Sequence, residues 1–175
     1  TVYAREEPPT EMSIDAILEA AAAHPIKRVE ITGGEPMLQA GAPELMQRFI
    51  DSGYEVLLET NGSIELAMVP MGVKKIVDVK CPASGEADSL LSGNLIRLDK
   101  IDEVKFILAS REDYDYARNV IHQQSLIGRA EVILSPCAGQ LDPATLAQWI
   151  LEDGLDVRLG LQLHKLIWPA DARGV

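Results

Sequence analysis

Short runs of β-branched and aliphatic residues return along this chain, and helical segments separate most of them. Arg28 to Thr32 is such a run, stopping at two glycines, and Ala42 to Ser52 after it reads as a helix closed by Gly53. Glu55 to Glu59, Lys75 to Val79, Glu103 to Leu108, Ala130 to Leu134 and Asp156 to Leu161 continue the series of expected strands. Helices are expected where a capping residue introduces an apolar face at helical spacing. Ser13 precedes Ile14, Ile17, Leu18 and Ala21, with Pro25 preventing continuation, and Ser110 follows the strand ending at Leu108. Asp142 and Pro143 open a helix whose inner face is Leu146, Trp149 and Ile150 and which ends before Gly154. Such alternation predicts an α/β fold with a parallel sheet and right-handed crossovers, as an open doubly wound sheet or as a closed or partial barrel.

A length of 175 residues suits one compact domain, and a hydrophobic fraction of 47% is enough to fill its core. Aromatics make up only 5%, so aliphatic residues and alanine must carry the packing. The net charge of −11 repels polyphosphate backbones and anionic lipid surfaces, which argues against nucleic acid and membranes as partners. No apolar run approaches the roughly 18 to 20 residues of a spanning helix, and a cytoplasmic location is the expectation. Cys81 and Cys137 are too few for a disulfide framework and are not spaced as a local metal-binding pair.

In either parallel architecture the C-terminal strand ends form the working face. Read in order they are TGGEP, ETNGS, VKCPASGE, LAS, SPCAG and QLHK. Ordinary turn chemistry explains any one of these segments; their recurrence after successive strands favours a ligand site. Gly33 and Gly34 permit backbone approach to a ligand and leave carbonyl acceptors accessible, an arrangement suited to an ammonium group. Glu35 can add a charge-assisted hydrogen bond to that ammonium.

GGEP after a buried strand resembles the motif with which radical S-adenosylmethionine (SAM) enzymes hold the amino group of SAM. ETNGS (Glu59 to Ser63), DVKCPASGE (Asp78 to Glu86) and LQLHKLIWPADARGV (Leu161 to Val175) are similar to segments of the 7-carboxy-7-deazaguanine synthase family, so the resemblance spans nearly the whole chain. It implies a partial parallel (β/α) barrel of the radical SAM type, with residues 1–175 forming a single domain that lacks its N-terminal strand and cysteine loop. In that family three cysteines bind a 4Fe-4S cluster, in a loop often ending Cys-Asp-Thr followed by a residue and Tyr-Ala. Thr1, Val2, Tyr3 and Ala4 match the end of this pattern, which places the cluster cysteines outside this chain and leaves Cys81 and Cys137 without a ligand role.

Carried over residue by residue, the resemblance implies SAM contacts at Gly33, Gly34, Glu35, Lys80, Cys81, Pro82 and Ser84, and again at Ser135, Pro136, Cys137 and Ala138. Thr32, His164, Arg173 and the terminal Val175 match substrate-binding positions, and Thr1 matches a threonine that gives an oxygen to Mg²⁺. The implied reaction starts with hydrogen abstraction from carbon 6 of 6-carboxy-5,6,7,8-tetrahydropterin by a 5′-deoxyadenosyl radical. Ring contraction and loss of ammonia then give 7-carboxy-7-deazaguanine, a step of queuosine biosynthesis. The implied partners are that small-molecule pterin, an electron donor such as flavodoxin or ferredoxin, and a second copy of the chain in a homodimer. Two further readings stand beside this one: another radical SAM enzyme such as a glycyl-radical activase, and a non-catalytic SAM-binding α/β module.

Overall fold

A computed structural model describes residues 10–169. In chain order the elements are α1 (Ile14–Ala22), β1 (Arg28–Ile31), α2 (Ala42–Asp51), β2 (Glu55–Thr60), β3 (Lys74–Val79), α3 (Ser92–Ile96), β4 (Glu103–Leu108), α4 (Arg111–Gln123), β5 (Glu131–Pro136), α5 (Pro143–Asp153), β6 (Arg158–Leu159) and α6 (His164–Ile167), with short 3-10 turns between some of them. The caps read from sequence act as expected. Ser13 accepts from the Ala16 amide, Ser110 from that of Asp113 and Asp142 from that of Thr145, each satisfying an N–H that the first helical turn leaves free.

All six strands form one parallel sheet in the order β1-β2-β3-β4-β5-β6. A doubly wound sheet reverses its strand order part-way, and this one never does. Right-handed crossovers between sequential neighbours therefore put the connections on a single face. Among the described residues the sheet does not close, since β1 and β6 each pair on one side only, and the architecture is a partial parallel (β/α) barrel.

Alternation along the strands sorts residues between the two faces. Val56, Leu58, Val77, Val79, Val104, Phe106, Leu108, Val132 and Leu134 are buried in one cluster with Met46 and Phe49 of α2, Tyr114, Ala117 and Ile121 of α4, and Leu146 and Ile150 of α5. Each such side chain contributes about 1.5–3 kcal/mol by leaving water. The opposite parity supplies Glu30, Glu59, Asp78 and Lys105, an inner face far more charged than a closed apolar core would tolerate.

Two connections depart from a simple strand-helix alternation. Between β2 and β3 there is only a 3-10 turn at Leu66–Met68, and between β3 and β4 only two 3-10 turns and the five-residue α3. Asn94 of α3 compensates by tying them together. Its Oδ1 accepts from the Leu66 amide at 3.0 Å, while its Nδ2 donates to the carbonyls of Gly62 (2.9 Å) and Ile64 (2.8 Å). At the opposite end Asp102, fully buried, accepts from the Lys75 and Asp99 amides and pairs with the Lys75 ammonium at 2.9 Å.

The last strand is shorter than expected: Asp156 to Leu161 reads as a strand, yet only Arg158–Leu159 pair with β5. Local turns claim the neighbouring amides, with Val157 donating to Leu155 and Leu163 to Leu161, and among the described residues β6 has a partner on one side only. Gly160 carries the contact one residue further, its amide donating to the Leu134 carbonyl at 2.9 Å.

Replacing Asn94 with alanine strands one amide and two carbonyls in a buried site. The expected loss is about 2–4 kcal/mol, read as a lower urea midpoint with an unchanged slope.

Candidate active site

Because every strand runs the same way, the segments TGGEP, ETNGS, VKCP, SPCAG and QLHK all follow strand C-termini and gather at one rim of the sheet. Glu35 fastens the first two. Its carboxylate accepts from the Thr60 hydroxyl at 2.9 Å (Oε1) and 2.8 Å (Oε2), from the Asn61 amide at 2.9 Å and from the Met37 amide at 3.1 Å. A carboxylate offers about four acceptor positions, so these three donors leave room for one more. Gly33 and Gly34 both have positive φ, 94° and 39°, and a Cβ at either would meet open space. Their need for glycine is therefore conformational, and the space above them is free for a ligand.

A cavity of about 190 Å³ opens beside this loop, lined by Thr32, Gly33, Gly34, Glu59, Asn61, Asp78 and Lys80 among others. A second, of about 220 Å³, adjoins it through Asp78 and Lys80 and extends past Cys81 and Ser84 to Cys137 and Gln140. Lys80 and Asp78 form the shared wall, with Nζ 2.6 Å from Oδ2. The other carboxylate oxygen, Asp78 Oδ1, is buried and has no hydrogen-bond partner among the described residues. A roomier cleft of about 400 Å³ lies at the other end of the sheet, beside the start of β5 and β6, and contains none of the residues singled out from sequence.

Around the second cavity several polar groups are engaged in shaping the loop. The Ser84 hydroxyl donates to the Cys81 carbonyl at 2.6 Å and accepts from the Glu86 amide at 3.2 Å. Asp113, buried in the first turn of α4, accepts from Ala83 at 2.9 Å and from Ala109 at 2.8 Å, joining the loops after β3 and β4. Cys81 is buried, and its thiol is pushed up to about 12 by desolvation first and then by the charges of Asp113 and Asp78. Its backbone faces the turn while its sulfur packs into the core.

Ser135 and Pro136 end β5 as buried residues, and Cys137 donates its amide to the Leu108 carbonyl at 2.7 Å. Gly160 packs directly over this strand: a Cβ there would lie 2.6 Å from Ser135 Oγ and 2.7 Å from Ile133 Cγ2. Gln162 then reaches back, its Oε1 accepting from the Ala138 amide at 3.4 Å. His164 is exposed at the start of α6 and lines neither rim cavity. Thr1, Arg173 and Val175 lie outside the described residues.

With the rim in place, the chain was compared with known proteins. It is 48% identical over 161 residues to the 7-carboxy-7-deazaguanine synthase of Koribacter versatilis, an alignment covering 84% of this chain and 71% of the relative. The chain belongs to the 7-carboxy-7-deazaguanine synthase family. A second member, from Chlorobaculum tepidum, is 42% identical over 178 residues, covering 100% of this chain and 80% of its own length. The crystal structure of QueE from Escherichia coli shares the fold, with a TM-score of 0.70 at 20% identity over 86% of this chain and 64% of that one. No family model matches the sequence.

For a 7-carboxy-7-deazaguanine synthase the rim has a suitable chemistry for SAM: exposed glycine backbone, a carboxylate with one acceptor position that no described residue takes, and an adjoining cavity. It does not suit an iron-sulfur cluster, because the chain contains only two cysteines, and one of them is a buried core thiol. Among the described residues no three His, Cys, Asp or Glu side chains gather as a metal site. Glu59, Asn94, Asp78 and Asp113 were not singled out as functional in the sequence. Glu59 and Asp78 lie within the motifs ETNGS and DVKCP, so the signal was present; Asn94 and Asp113 act through contacts 28 to 32 residues distant, which no local pattern reveals.

Glu35→Ala removes the acceptor shared by Met37, Thr60 and Asn61. It is expected to cost about 2–3 kcal/mol and to speed hydrogen exchange at the Met37 and Asn61 amides. In the native protein Cys81 is expected to resist iodoacetamide at pH 8, where its thiolate is scarce, and to react once urea exposes it; peptide mass mapping reads the difference.

Proposed function

We propose that this protein is a radical SAM lyase that converts 6-carboxy-5,6,7,8-tetrahydropterin to 7-carboxy-7-deazaguanine with loss of ammonia, in queuosine biosynthesis. The observation that carries this reading is the union of the TGGEP, ETNGS and DVKCP segments around two adjoining cavities with Asp78 and Lys80 as a common wall. Two neighbouring ligands must meet at one bond for hydrogen transfer, and adjoining cavities supply that proximity.

Gly33, Gly34 and Glu35 would receive the SAM ammonium, Glu35 through the acceptor position its three protein donors leave free. Lys80, with Cys81, Pro82 and Ser84 shaping the turn beside it, would face the carboxylate and ribose, and Ser135 to Ala138 would border the same ligand from β5. Thr32 would meet the pterin, with His164, Arg173 and Val175 approaching from the tail. SAM, when held by Gly33, Gly34, Glu35 and Lys80, would supply the hydrogen-abstracting chemistry, with its 4Fe-4S partner carried by sequence other than these residues. The protein's part is to hold both ligands in register and to keep water and stray hydrogen donors away.

The cluster cysteines are assigned to sequence other than these 175 residues, and the 175 residues to one radical SAM domain. Mg²⁺ with Thr1 as a ligand, a flavodoxin or ferredoxin as reductant, a homodimeric assembly and a cytoplasmic location complete the proposal. No described helix is long and apolar enough to cross a membrane.

The test is anaerobic reconstitution of the full-length protein with iron and sulfide, followed by incubation with SAM, reductant and the carboxylated pterin. A deazapurine product is expected. Cleavage of SAM without that product in the presence of the pterin would exclude the assigned reaction.

A further inference from the structure

The turn after β3 carries Lys80, Cys81, Pro82 and Ser84, all proposed above to border SAM, and between them stands Ala83, which has no polar side chain to offer a ligand. A 3-10 turn of three residues leaves its first amides without internal partners. The Ala83 amide is satisfied from elsewhere: it donates to Asp113 Oδ1 at 2.9 Å, across a separation of 30 residues. Asp113 borders the second cavity but is only 1% exposed, so it acts on a ligand through this turn and not by contact.

Helix capping accounts for half of this carboxylate. Asp113 is the third residue of α4, where an acidic side chain ordinarily closes the helix N-terminus. Its Oδ2 accepts from the Ala109 amide at 2.8 Å, and its own amide donates to the Ser110 hydroxyl at 3.2 Å. Nothing in capping requires Oδ1 to reach the loop after β3. The residue type matches the donor sense of the site, because two amides from two loops need two acceptor oxygens, which a carboxylate has and a carboxamide lacks. Asn94 is the contrasting case: it meets one amide and two carbonyls.

The tie is also local. Further along the same segment Tyr116 of α4 donates to the Ala87 carbonyl at 3.4 Å, and the Leu91 amide donates to the Gly62 carbonyl at 3.0 Å. Leu90 packs so closely there that a Cβ at Gly62 would lie 2.6 Å from Leu90 Cδ1. These contacts seat residues 87–91 without Asp113, so loss of the Ala83 contact frees the turn of residues 80–84 and leaves the neighbouring rim in place. We infer that Asp113 is a positioning residue for SAM, setting the turn of residues 80–84 through the Ala83 amide from the first turn of α4. The inference rests on the SAM reading above and deepens it: a loop already held in its binding shape spares the ligand the cost of ordering it.

The experiment compares Asp113→Ala and Asp113→Asn with Ser110→Ala in the reconstituted full-length enzyme. Alanine at 113 removes both acceptors, and asparagine, the milder variant, sets an NH₂ group against one of the two amides. Ser110→Ala removes the α4 cap and leaves the Ala83 contact intact. Equilibrium binding of SAM and, separately, of the carboxylated pterin is measured, with thermal midpoints and amide hydrogen exchange for every variant. Asp113→Ala is expected to weaken SAM binding about tenfold and Asp113→Asn about threefold or more, with pterin affinity within about twofold of wild type and faster exchange at the Ala83 amide. Ser110→Ala is expected to lower the thermal midpoint yet keep SAM affinity within about twofold. Unchanged SAM affinity in either folded Asp113 variant overturns the inference, and so do equal losses of SAM and pterin affinity, or a SAM loss as large in Ser110→Ala; each of these leaves the synthase reading intact. Failure of the wild type to bind SAM overturns the inference together with that reading.

Discussion

The carboxylate of Glu35 is the contact on which the rest of the rim depends. Parallel strands carry their own hydrogen bonds, but nothing in the ladder dictates how the loop after one strand meets the loop after the next. Glu35 supplies that link by accepting from Thr60 and Asn61 across the β1–β2 boundary and from Met37 within its own turn. Glycine at 33 and 34 lets the chain reverse through positive φ without a Cβ, so the carboxylate arrives at β2 while the backbone before it stays open to a ligand.

The same device recurs along the sheet with different residues. Asn94 joins the two connections that lack a full helix, and Asp113 joins the loops after β3 and β4. In each case a side chain substitutes for secondary structure by satisfying backbone groups that burial would otherwise strand, which gives irregular loops a defined position. An acidic composition thus has a structural use beyond solubility: part of it is spent as fixed acceptors at the working end of the sheet.

The two faces of the sheet divide the labour. One is a continuous aliphatic layer under the helices, with Phe106 and Tyr114 as its largest fully buried aromatic members. The other carries Glu30, Glu59, Asp78, Lys80 and Lys105 in neighbouring registers, and their pairing into Lys80–Asp78 and Lys105–Glu59 limits the cost of keeping charges beside a protein wall. That face holds the cavities. Its residues are paired by charge rather than packed as a core.

Much of this was legible in the sequence because it depends on local chemistry. The caps at Ser13, Ser110 and Asp142, the stop at Gly154 and strands such as Glu103–Leu108 follow from spacing, propensity and turn residues, and the GGEP, ETNGS and DVKCP segments follow strand C-termini at one rim. The sequence left the choice between a doubly wound sheet and a barrel to strand order, and the resemblance alone pointed to the barrel. It gave β6 too great a length, because a strand pattern does not show which amides local turns will claim. Tertiary structure decided the unreversed strand order, the ties made by Asn94 and Asp113, and the pairing of Thr32 with Glu59, since each depends on groups about 27 or more residues apart meeting across the sheet. Local sequence can specify what a residue offers; only the folded chain determines which partner uses it.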